Sequence, residues 1–192
     1  MTAPTPFASF SERYTDAGWN GVLPLPAKRK KSPPDGYTGD EGAYPDVIQL
    51  DRWRATRGRG NIALRMPPGV IGIDVDAYGD KRGRETFNRW LGEYGPLPTT
   101  WVSTSRHDGI SGIRFFRIPE GIKLIGAMGD VEIIQRHHRY AVVAPSLHPE
   151  GREYRWISPD GEEVPGEVPH LDDLPDLPEP WLTGLRVDNK TA

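Results

Sequence analysis

The chain contains no cysteine in its 192 residues. That absence excludes disulfides, thiolate metal sites and thiol nucleophiles, and it suits a reducing compartment such as the cytoplasm. No apolar run approaches the roughly 20 residues that a membrane helix needs. The opening MTAPTPFASF lacks the basic region and apolar core of a signal peptide. The expectation is a soluble, cytoplasmic protein with no membrane partner. An excess of charge of either sign is also lacking: 24 Lys and Arg stand against 27 Asp and Glu, for a net charge of −3. A protein that coats nucleic acid with its whole surface is thereby excluded, and any polyanion has to be met by local patches.

What is present is 36% hydrophobic content together with 20 prolines and 22 glycines, the composition of a globular chain with many turns. With no internal repeat and no long linker, a single domain over residues 1–192 is expected, its core at about 7–182 and a flexible tail at 183–192. Basic residues cluster in KRKK at 28–31, in RWRATRGR from Arg52 to Arg59 and in RHHR at 136–139. The acidic, proline-rich stretch DGEEVPGEVPHLDDLPDLPEP carries much of the negative balance, and the segment after about residue 160 reads as a surface wrap. KRKK by itself reads as a solvated loop.

The hydrophobic pattern alternates between helix and strand. Phe7, Phe10, Tyr14 and Ala17 stand at helical spacing, GVLPLP reads as a short strand, and Asp46 is placed to cap a helix through VIQLDRWRAT. NIALRM and GVIGIDVD read as strands joined by a PPG turn. Phe87, Trp90 and Leu91 mark a helix at 84–93, and strands follow at TTWVSTS, SGIRFFRI, DVEIIQ and RYAVVAP, with a last extended pair around EYRWI. The class is α/β in the mixed, α+β sense.

GVIGIDVD also sets a chemical problem. In a strand, side chains at i and i+2 share a face, so Asp74 and Asp76 project together and repel unless a positive charge sits between them. A structural reading has one of them capping the next turn while the other is solvated. DVDAYGDKRGRE approximates a calcium loop, with Glu85 at its twelfth position, but Tyr78 stands at the fifth and a β-branched run precedes it where a helix is required. In GDVEIIQ, Glu132 alternates with Val131 and Ile133. Three acids on two strands make a clamp for two divalent cations of the kind that serves phosphoryl transfer.

NIALRMPPGVIGIDVDAYG, TTWVSTSRHDGISGIRFFRIP and VEIIQRHHRYAVVAPSLHPEGREYRW, in that order, resemble the bifunctional primase-polymerase domain of the archaeo-eukaryotic primase superfamily. The sub-type is similar to those of actinobacterial phages and plasmids, and the resemblance runs from YTDAGWNGVLPLP to PEPWLTGL. It implies an N-terminal α/β unit packed on a sheet like that of the RNA-recognition fold, with the active site between them. It also implies a DNA-dependent nucleotidyltransferase, acting as primase, DNA polymerase or both in DNA replication. The family's first motif, acid-x-acid, falls on Asp74 and Asp76, and its third on Glu132; these would be both catalytic residues and ligands for two Mg²⁺ or Mn²⁺ ions. Its second motif, a serine and a histidine that grips nucleotide phosphates, has no literal match after SG. The preferred placement is Ser111 with Arg114 in place of the histidine, and the alternative is Ser105 with His107. The resemblance further places His138 and Arg139 near the triphosphate, while Ser146 and His148 fall in a shared segment without an assigned role. The implied partners are nucleoside triphosphates and single-stranded DNA template and primer, with basic stretches such as Arg52–Arg59 tracking the template. Such domains often precede a helicase, and the polar RVDNKTA segment makes an excised fragment conceivable. The rivals from other classes are a metal-dependent nuclease and a nucleic-acid-binding module without activity.

Overall fold

Residues 5–187 are described by a computed structural model. The helices among them are α1 (Pro6–Asp16), α2 (Val47–Arg57), α3 (Gly83–Tyr94) and α4 (Glu179–Leu185). In chain order the strands are β1 (Val22–Leu25), β2 (Asn61–Leu64), β3 (Val70–Val75), β4 (Val102–Thr104), β5 (Gly112–Arg117), β6 (Ala127–Met128), β7 (Val131–Ile134), β8 (Ala141–Val143) and β9 (Arg155–Ile157). This is the mixed α/β class that the pattern predicts.

α1 opens on a proline, whose missing N–H is one that a first helical turn leaves unpaired in any case. Phe7, Ser11 and Tyr14 are its buried stripe. α2 is capped as expected, the Asp46 carboxylate accepting the Gln49 N–H at 2.7 Å. α1 lies on β1 and β2, and α2 packs against α1. β1, β2 and β8 form an antiparallel three-stranded sheet in that order, so this N-terminal unit is completed by a strand from the second half of the chain.

The larger sheet runs β6-β7-β3-β5-β4-β9 with every neighbouring pair antiparallel. Its central strand β3 divides its side chains by the two-residue period. Ile71, Ile73 and Val75 join Phe116, Val131 and Ile133 in a core with Phe87 and Trp90 of α3 and Trp181 of α4. Val70 faces the other way and shares the first sheet's core with Ile113, Phe115 and Ile134. Asp74 therefore points toward the space between the two sheets. Three buried indole N–H groups find carbonyl or hydroxyl partners: Trp19 donates to Pro169 O at 2.8 Å, Trp156 to the Tyr14 hydroxyl at 2.8 Å and Trp181 to Gly95 O at 3.0 Å.

The expected PPG turn joins β2 to β3, and it passes the chain from one sheet to the other: Pro67 and Pro68 have no N–H for a ladder, and Gly69 takes a φ of +75°. Two expectations are revised. The segment after residue 160 does more than wrap. Leu174, Leu177, Trp181, Leu182 and Leu185 are buried, and Leu177 N–H bonds Arg117 O at 2.9 Å. The first part of the expected tail at 183–192 is structured, because α4 continues through Leu185 and Val187 N–H bonds Lys123 O at 3.1 Å; residues 188–192 lie outside the described residues.

Arg65, adjoining β2, is fully buried and has no carboxylate within ion-pairing distance among the described residues. Its guanidinium donates to the carbonyls of Gly39, Gly42, Ala43 and Arg136 at 2.7–3.2 Å and lies 4.4 Å over the Tyr44 ring. One side chain thus organises the glycine-rich loop before α2.

Candidate active site

β3 and β7 pair so that Asp74 stands directly opposite Glu132, which puts both carboxylates on one face at neighbouring positions. Asp76, one residue beyond β3, keeps the i, i+2 relation to Asp74. Its backbone is held at both ends: Asp76 N–H bonds Asp130 O at 3.0 Å, and Asp76 O accepts Gly83 N–H at 2.8 Å. The first turn of α3 is thereby fastened to the acidic cluster.

The electrostatics are those of crowded anions. Burial first, then the charges of Asp76 and Glu132, push the Asp74 carboxyl up to about 7. Burial also raises Asp76, against the pull of Lys81 and Lys30. Lys81 lies 3.9 Å from Asp76 and 2.8 Å from Asp130, and Arg139 lies 3.3 Å from Glu132. Among the described residues no three His, Asp or Glu side chains already stand in a metal-holding arrangement. Asp76 and Glu132 instead have a cation each beside them, while Asp74 has none within ion-pairing distance.

The acids form the floor of a cavity of about 400 Å³, within the range of ligand pockets. Lys30, Arg139 and His148 are on its walls, with Tyr78 and Arg106 at one side, where the guanidinium stacks on the phenol ring at 3.6 Å. Ser111 also lines it; the Ser111 hydroxyl accepts Ala77 N–H at 3.0 Å and donates to Asp108 at 2.6 Å. Arg139 has a left-handed φ of +67° at the end of the β7–β8 turn.

Of the remaining sequence candidates, Arg114, His107, His138 and Ser146 do not line the cavity. Arg114 pairs with Ile73 across β3 and β5, so it shares the apolar face of β3 and packs under the sheet, 5.0 Å over the Phe87 ring of α3. Its side chain is thus on the face of the sheet opposite Asp74 and Glu132. His107 is exposed, with Nε2 2.9 Å from Arg155 Nη1, so the alternative pairing also fails to bring a histidine to the acids, although Ser105 does line the cavity. The backbone of His138 closes a turn with Gln135, and the buried His138 Nε2 has no hydrogen-bond partner. Ser146 serves the fold, its hydroxyl accepting Ile62 N–H at 2.8 Å.

Two wall residues carried no assigned role in the sequence. Lys30 belongs to KRKK, which looks like any solvated loop. His148 is buried, and its Nδ1 accepts Glu150 N–H at 3.2 Å and faces Arg152 Nη2 at 3.0 Å. Burial, then Lys30 and Arg152, hold the His148 ring below the usual histidine range. The Glu150 contact makes Nδ1 the acceptor and leaves Nε2 as the donor nitrogen. The proximity of two prolines in PSLHP was the available signal that this histidine is fixed in place.

No helix among the described residues is long and apolar enough to cross a membrane. No curated protein matches the chain. The family model described as bifunctional DNA primase/polymerase, N-terminal, matches residues 11–180.

Proposed function

The chain belongs to the bifunctional DNA primase/polymerase family, a family of DNA primase/polymerase nucleotidyltransferases, and from that premise we propose that its cavity joins nucleotides from nucleoside triphosphates along a single-stranded DNA template. A 3′-hydroxyl, or the oxygen of an initiating nucleotide, attacks the α-phosphate and pyrophosphate leaves. The observation that carries this reading is the pairing of Asp74 with Glu132, with Asp76 on the same face, at the floor of a cavity whose walls are basic.

The donor set fits hard divalent cations. Carboxylate oxygens are the ligands that Mg²⁺ and Mn²⁺ prefer, and Asp74, pushed up to about 7 by burial and then by the charges of Asp76 and Glu132, is the acid of the three without an ion-pair partner among the described residues. Asp74, Asp76 and Glu132 would hold two such ions, which when bound lower the attacking oxygen's pKa and offset charge on the phosphates. The protein's own groups do the rest. Arg139 and Lys30 neutralise the triphosphate from the walls, and Arg139 exchanges its contact with Glu132 for phosphate oxygens. His148 donates its Nε2–H to phosphate from the same wall. Tyr78, stacked on Arg106, offers an aromatic face at the cavity's side.

The test is extension of a labelled primer on a DNA template with Mn²⁺ and deoxynucleoside triphosphates. Asp74→Asn, Asp76→Asn and Glu132→Gln are each expected to lose at least about a hundredfold in incorporation, the scale of losing a group that organises transition-state charge. Near-normal extension by any of the three defeats the assignment of that acid. Primer shortening in the absence of nucleotides, abolished by the same substitutions, identifies a nuclease instead.

A further inference from the structure

We infer that Asn61 is a positioning residue for the nucleotide cavity, one carboxamide fixing both the loop that carries Lys30 and the loop that carries His148; this rests on the nucleotide reading of the cavity given above. Asn61 opens β2 and is 1% exposed. Its Nδ2 donates to Arg29 O at 2.9 Å and to Leu147 O at 2.7 Å, and its Oδ1 accepts Leu147 N–H at 2.9 Å. Arg29 and Leu147 are the residues immediately before Lys30 and His148. Two cavity walls far apart in sequence therefore meet on a single side chain.

β2 itself gives no reason for an asparagine. Asn is disfavoured in strands, and a buried carboxamide is costly unless its hydrogen bonds are made. An apolar residue would serve the backbone pairing of Asn61 with Leu25 equally well. The groups that need Asn61 are the backbone groups of the two loops. The Lys30 loop also holds a conformation it would not choose alone: Lys28 and Ser32 have φ of +57° and +69° on either side of it. Such backbone persists where surrounding contacts over-determine it, and it is concentrated at functional sites. A second tether acts on this loop only, the Tyr140 hydroxyl donating to Lys30 O at 2.9 Å. The acids lie on the other sheet, so loosening these loops weakens the grip on a triphosphate while leaving the cation ligands in place.

The experiment is calorimetric titration of the 192-residue chain with Mn²⁺ alone and with a Mn²⁺–deoxynucleoside triphosphate, for Asn61→Ala, Asn61→Asp, Lys30→Ala and the pairs of each Asn61 variant with Lys30→Ala. Asn61→Ala is expected to weaken triphosphate binding roughly tenfold with Mn²⁺ affinity unchanged, and to raise KM with little change in kcat. Lys30→Ala is expected to cost roughly tenfold in the parent but less than about twofold on the Asn61→Ala background, because Lys30 is no longer held there. Additive losses, parental triphosphate affinity in Asn61→Ala, or an equal fall in Mn²⁺ affinity overturns the inference. If Asn61→Ala does not fold by circular dichroism, Asn61→Asp decides, since it keeps an acceptor for Leu147 N–H and loses the donation to Arg29 O: Lys30→Ala should then cost less than about twofold on that background, and additivity overturns the inference. A parent that binds Mn²⁺ but no triphosphate refutes the nucleotide reading, whereas a binding parent with additive variants refutes only the positioning role.

Discussion

Arg114 and Arg139 look equally suited to phosphate in the sequence, and their surroundings separate them. Both faces of β5 are buried, so the SGIRFF pattern contains no alternation that says which side Arg114 takes; only its pairing with Ile73 does. Arg114→Ala should leave triphosphate affinity unchanged and lower stability by about 1–2 kcal/mol, from lost packing and stacking on Phe87, read as a shifted urea midpoint. Arg139→Ala should do the reverse, weakening triphosphate binding roughly tenfold with a smaller effect on the midpoint. The paired acids were legible because the i, i+2 rule needs no tertiary information. Asp74 adds a pH dependence with a definite sign. In the unfolded chain it titrates near the ordinary 3.8, and in the native protein near 7. Between those values the native state holds a proton that the unfolded state has lost, so this group makes stability fall as pH rises from about 4 to about 7 and has no further slope beyond either limit. In metal-free buffer that slope should vanish in Asp74→Asn, and Mn²⁺ affinity of the parent should rise with pH until about 7, where the proton no longer competes.

At the scale of elements, the junction of β3 with α3 is the tightest in the site. A Cβ on Gly83 would stand 2.2 Å from Asp76 O and 2.8 Å from Asp130 O, both backbone atoms that have no side-chain freedom to give. Gly83→Ala should therefore displace the start of α3 together with Asp76, lowering extension activity at least about tenfold and stability by about 2–3 kcal/mol, measured on the same preparation by primer extension and denaturation. The elements themselves were readable: Phe87, Trp90 and Leu91 marked α3, Asp46 marked the start of α2, and β-branched runs marked β3 and β7. Which strands become neighbours was not readable. β2 and β3 adjoin in sequence yet lie in different sheets, and β8 completes the first sheet from far along the chain, because pairing is decided by which apolar faces can be covered together. The KRKK loop is solvated, as its composition indicates, but its orientation was not readable for a related reason. Its orientation depends on Asn61 and Tyr140, neither of which is near it in sequence.

Over the whole molecule, the near balance of charge conceals a division of labour. The acids of the cavity floor face basic walls, and the acidic stretch after residue 158 includes the run that supplies Leu174, Leu177 and Trp181 to the interior. Trp181 closes the core under the larger sheet, edge-on to Trp90 at 6.1 Å and to Tyr94 at 5.5 Å. Removing residues 174–192 should leave a chain with native-like far-ultraviolet dichroism that binds a hydrophobic dye and melts without a sharp transition; a cooperative melt would show that the strap is dispensable. The same strap sets a timetable for birth on the ribosome. β3, β5 and α3 emerge early, but their shared apolar face has no lid until Trp181 and Leu185 have cleared the exit tunnel. At about 5–20 residues per second that wait lasts several seconds. For that interval the nascent chain exposes the surface that chaperones bind, and a pause late in translation would prolong its exposure.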